Sequence, residues 1–81
     1  MVLGNLEKYK EAFKEGLEID DSVLTEDLAY DTISEWDSVG HMRLMAAIED
    51  AFDIMLDTED ILEFGSFGKG KEILLKYDVT I

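Results

Sequence analysis

The sequence predicts an all-α fold: a small four-helix bundle of three longer helices and one short one, with a long loop between helices 1 and 2. Three observations predict it. Apolar residues recur at spacings of three and four in separate segments. Asp or Ser stands ahead of three of those segments, where a side-chain oxygen can accept the first free helical N–H groups. The 81 residues make one domain over positions 1–81, near the lower limit for a self-sufficient core, with no cysteine to add a disulfide or a Cys-based metal site.

The first helix is expected from about Leu3 to Gly16. Leu3, Leu6, Tyr9 or Lys10, Phe13 and Leu17 form its apolar stripe, and Gly16 is its stop. From Leu17 to Asp37 no single period holds. Asp20-Asp21-Ser22 is turn chemistry, and Ser22 can start one short turn. Val23, Leu24, Leu28, Ile33 and Trp36 are read as anchors that pin a long loop to the core. A loop of this length is unusual in a compact domain unless it serves the site it leads to.

The strongest helical signal runs from Ser38 to about Phe52. Leu44, Met45, Ile48 and Phe52 form one stripe; Val39, Met42 and Ala46 form a second on another face. Burial of both stripes would make this helix central. Exposure of the second would leave an apolar docking patch beside Ser38, for which methionine is suited. Asp57 is expected to cap a short helix from Thr58 to about Glu63, and Ser66 a last helix from Phe67 to about Tyr77. Gly68 and Gly70 should weaken the start of that last helix, at about 1 kcal/mol each, so that it frays there.

Charge narrows the function. There are 20 acidic residues against 7 basic ones, a formal net charge of −13. Nucleic acid is thus a poor partner, whereas a basic protein surface is a natural complement, although acidity can also serve solubility alone. Between Lys14 and Lys69 the only base is Arg43, so the acidic field centres on the middle of the chain. No apolar run approaches the roughly 20 residues that cross a bilayer, which predicts no membrane insertion. Met1-Val2-Leu3-Gly4-Asn5 has no secretory pattern. The expected placement is cytoplasmic and the expected state monomeric.

Catalysis and metal binding find little support. The acids of Asp53–Glu63 are interrupted by Met55 and Ile61 and lack the glycine of a calcium loop. Ser38 and His41 are three apart and could touch on a helix, but no orienting acid or nucleophile-elbow glycine accompanies them. The reading is of a chain with no catalytic group and no metal site, with His41 partly buried or packed beside whatever Ser38 carries.

Asp37-Ser38-Val39, followed by Leu44, Ile48-Glu49 and Phe52, resembles the acyl carrier proteins. The likeness covers nearly the whole chain in length, acidity and helix order. It implies that a separate phosphopantetheinyl transferase attaches 4′-phosphopantetheine from coenzyme A to Ser38. Asp37 would help that transferase hold its magnesium. The arm would carry acyl groups as thioesters for loading and transfer enzymes with basic docking surfaces, in a lipid, polysaccharide or secondary-metabolite pathway. Docking is expected at Val39, Met42, Ala46, Glu49 and Asp50, with Glu35 and Glu59 as further acids. Val39 stands where leucine is common, Arg43 where an acid is usual, and Gly40 loosens the first turn. Trp36 is similar to stand-alone carriers of specialised pathways. An aminoacyl or peptidyl carrier, and an acidic helical adaptor without a prosthetic group, are the alternatives.

Overall fold

The computed structural model describes residues 4–81. It contains four helices and no strand among the described residues: α1 (Asn5–Leu17), α2 (Ser38–Phe52), α3 (Thr58–Glu63) and α4 (Phe67–Leu75). None is long and apolar enough to cross a membrane. The expected all-α bundle with its long first loop is therefore present. Leu3, expected in the first helix, lies outside the described residues.

α1 buries Tyr9, Ala12, Phe13, Gly16 and Leu17, whereas Leu6 is exposed. Gly16 is not the stop. The helix runs one residue further, and the left-handed turn falls on Glu18, at φ 57°. Gly16 is instead the crossing point with α2: a Cβ there would lie 2.7 Å from the Leu44 Cα, so only a residue without a side chain lets the two backbones approach this closely. α1 and α2 form the frame of the bundle, with Leu44, Met45 and Ile48 of α2 buried. Phe52, at the end of the same stripe, is only partly buried.

The segment between α1 and α2 is a chain of hydrogen-bonded turns. Asp20 organises the first one. Its carboxylate accepts from the Ser22 N–H at 3.0 Å and the Ser22 hydroxyl at 2.5 Å, and these bonds hold it below the usual carboxylate range. Ser22 is thus the donor of this turn and not its initiator. Leu28 and Trp36 are buried, and Leu24 and Ile33 pack partly against the core. Tyr30 N–H donates to the Gly65 carbonyl at 2.9 Å, and Phe67 N–H to the Leu28 carbonyl at 2.9 Å. This antiparallel contact ties the loop to the α3–α4 junction.

α4 runs unbroken from Phe67 to Leu75, and Ser66 caps it by accepting from the Lys69 N–H at 2.9 Å. The helix is continuous across both glycines, and Gly70 is a packing position. A Cβ there would lie 2.2 Å from both the Phe64 ring and the Tyr9 hydroxyl. The helix also stops two residues short of Tyr77, whose hydroxyl is used elsewhere. It donates to the Asp60 carboxylate at 2.6 Å and accepts from the Asp57 N–H at 2.9 Å. Asp57 precedes α3 as expected, but its side chain makes no capping bond. Asp60, buried, also pairs with Lys76, so α3 is clamped to the end of α4.

Two predictions follow from this packing. Gly68 has open space around it and Gly70 has none. Gly68→Ala should therefore raise unfolding stability by about 0.5–1 kcal/mol, while Gly70→Ala should lower it, both read from urea titrations. The second concerns pH. The Lys76 and Tyr77 hydrogen bonds hold the Asp60 carboxyl below the usual carboxylate range. Pairing with Asp60 pushes Lys76 and Tyr77 above theirs. Stability from Asp60 is present above the ordinary carboxylate range and lost as pH falls through its lowered folded value. The share from Lys76 and Tyr77 is present below their ordinary ranges and lost as pH rises through their raised values. Solvent screens the lysine share, since its side chain is mostly exposed. Asp60→Asn should lower stability near neutrality and flatten the loss between about pH 5 and about pH 2, measured by urea midpoints across that range.

Candidate functional site

Ser38 is the first residue of α2 and is exposed. Asp37 adopts extended backbone ahead of it, and its carboxylate accepts from the Gly40 N–H at 2.8 Å. One of the orphan donors of the helix start is thereby satisfied. The N–H groups of Ser38 and Val39, one turn too early for helical partners, remain at the tip, where the helix dipole favours an anion. Gly40 does not loosen this turn. It is buried, and a Cβ there would fall 2.0 Å from the Glu35 carbonyl oxygen, so the loop packs directly onto the first turn of α2 only because this residue is glycine.

Behind Ser38 stands Trp36, fully buried. Its indole N–H donates to His41 Nδ1 at 3.0 Å, and His41 Nε2 lies 2.7 Å from the Ile61 carbonyl oxygen. The indole can only donate, so Nδ1 accepts and Nε2 carries the proton given to Ile61. His41 thus joins the loop, α2 and α3. Both ring nitrogens are engaged, which leaves neither free to take a proton from Ser38. The ring is stacked on Trp36, with centroids 6.2 Å apart, and is met edge-on by Tyr30 at 5.5 Å.

The second stripe of α2 stays outside the core: Val39 is 60 % exposed, Met42 57 %, and Ala46 is exposed. Asp50 and Glu59 are exposed too. Glu49 differs. It is half-buried, and its carboxylate accepts from the Leu56 N–H at 2.8 Å, so it orders the turn after α2. Arg43 is paired with Glu18 at 2.8 Å across the α1–α2 junction. On this flank an open groove of about 630 Å³ is bordered by Glu18, Glu35, Asp37, Val39 and Arg43.

On the other flank Ser38 opens onto a second groove of about 380 Å³, lined by Tyr30, His41, Met42, Ile61, Leu62, Phe64 and Gly65. Sequence reasoning missed Tyr30, Ile61, Leu62, Phe64 and Gly65 here. They come from the loop, from a helix of only six residues and from the α3–α4 junction, none of which has a period to mark the residues that face Ser38. Leu62, at 79 % exposure on so short a helix, carried the only usable signal, an apolar residue with no place in a buried stripe.

No protein-family model, no curated protein and no solved structure matches the chain. The functional reading therefore rests on the residues and their geometry. Asp37→Ala should remove the cap without touching the core and cost about 1 kcal/mol, measured by urea unfolding.

Proposed function

We propose that this chain is a carrier of acyl groups, held as thioesters on a 4′-phosphopantetheine arm attached to Ser38. The observation that carries the reading is an exposed serine at the tip of α2, directly behind an aspartate that caps the helix. The residues suit the group. A phosphodiester at Ser38 would meet the free N–H groups of the helix tip and its positive dipole end. The serine is held by a rigid helix and a packed loop, yet is not itself buried.

The attachment needs a transferase and coenzyme A. The Ser38 Oγ–phosphorus bond forms, the bond between that phosphorus and the nucleoside bisphosphate breaks, and the hydroxyl proton is lost to the transferase or solvent. The arm supplies a thiol, and the thiol holds the acyl group. The chain has no cysteine of its own to divert that thioester. What its residues do is present the serine, cap the helix behind it and offer a docking face.

That face combines exposed Val39, Met42 and Ala46 with the acids Glu35, Asp37 and Asp50. It suits loading and transfer enzymes whose docking surface is basic with an apolar centre. Arg43 is partly neutralised by Glu18, so a partner need not meet an unpaired cation in the middle of the helix.

Co-expression with a phosphopantetheinyl transferase, followed by intact-mass measurement, tests the reading. Wild type should gain one phosphopantetheine and Ser38→Ala none. No gain in wild type, or equal gain in the variant, returns the chain to the acidic-adaptor reading. Met42→Glu should slow modification or acyl loading several-fold with unchanged helicity by circular dichroism, because it puts a charge at the apolar centre of the face.

A further inference from the structure

We propose that the group carried on Ser38 stays outside the helical core. The inference rests on the carrier reading and concerns where its cargo lies.

Two features close the way from Ser38 into the interior. Trp36, Leu44, Met45 and Phe64 are packed into the core, each at most 2 % exposed. The seam between α2 and α3 is also bolted by His41, through its bonds to the Trp36 indole at 3.0 Å and the Ile61 carbonyl at 2.7 Å. An alkyl chain threading between α2 and α3 would have to part these groups. The indole N–H, the imidazole and a backbone carbonyl would then lose partners in a place where the entering chain offers none. Leaving such groups unpaired is the costly side of hydrogen bonding. Trp36 would have to move as well, and its ring packs edge-on against Phe13 of α1, with centroids 5.5 Å apart.

Outside the core, the groove of about 380 Å³ beside Ser38 is open-sided. Met42 and Leu62, which flank it, are 57 % and 79 % exposed. The lining of the groove is mainly apolar, with Tyr30, Ile61 and Phe64 beside Met42 and Leu62, so the carried group has a surface to lie against without parting the core.

The test uses the full chain, loaded by a phosphopantetheinyl transferase from acetyl- and from octanoyl-coenzyme A. Intact mass first reports whether Ser38 is modified. The thermal midpoint and the resonance of the single indole N–H then report the core, since Trp36 is the only tryptophan. The expected result is full modification, thermal midpoints of the two forms within about 1 °C, and an indole resonance at the same position in both. A midpoint several degrees higher for the octanoyl form, or a shifted indole resonance in that form alone, would place the chain inside the core and overturn the proposal while leaving the carrier reading intact. Absence of any mass gain would overturn the carrier reading and this inference with it.

Discussion

The structure around Ser38 depends on the burial of one indole. Trp36 ends the long loop, and its ring touches each element that frames the site: Phe13 of α1, Tyr30 of the loop and His41 of α2. Burying a ring of this size removes about 150–250 Å² from water, a large contribution in a domain with so small a core. Its polar atom then needs a partner, and His41 supplies one. Because His41 in turn engages the Ile61 carbonyl, a single side-chain chain of hydrogen bonds fixes the position of α3 relative to α2. Asp37 and Ser38 follow directly after this fixed point, so the serine is presented from a rigid base although it comes after a 20-residue segment without helix.

Close backbone approaches do much of the remaining work. At Gly16 the α1 backbone meets that of α2, and at Gly40 the loop meets the first turn of α2. Both contacts replace side-chain packing with direct backbone proximity, which makes the frame thin but well determined. The loop gains further order where it pairs with the α3–α4 junction across Ala29 and Ser66. The same junction contributes Phe64 and Gly65 to the groove beside Ser38, so ordering the loop and shaping the groove are one event.

Four of the seven bases are paired within the chain. Lys14 pairs with Glu11 and Asp21, Arg43 with Glu18, Lys71 with Glu26, and Lys76 with Asp60. Most of these are exposed pairs and contribute little to stability. Their consequence is for the surface: the acids near Ser38 face solvent with the one nearby cation already partnered. A surface of this kind speeds encounter with basic partners and repels phosphate-rich ones.

The helices themselves were legible because their signals are local. Asp37, Ser66 and the stripe of Leu44, Met45 and Ile48 marked the starts and the buried faces of α2 and α4, since capping and helical spacing act within a few residues. The exposed serine behind its capping aspartate was legible for the same reason. The errors fell where a distant contact overrides local preference. Gly16 read as a stop and Gly70 as a weak point, but each is needed for a backbone or ring that arrives from elsewhere in the chain. Glu49, read as a docking acid, also accepts from the Leu56 N–H, a partner that only the turn after α2 supplies. The use of His41 as a bolt, and the making of a groove from Tyr30, Leu62 and Gly65, were decided only by tertiary structure. Those residues are brought together by the burial of Trp36, and no spacing along the chain encodes which groups a buried ring will gather around itself.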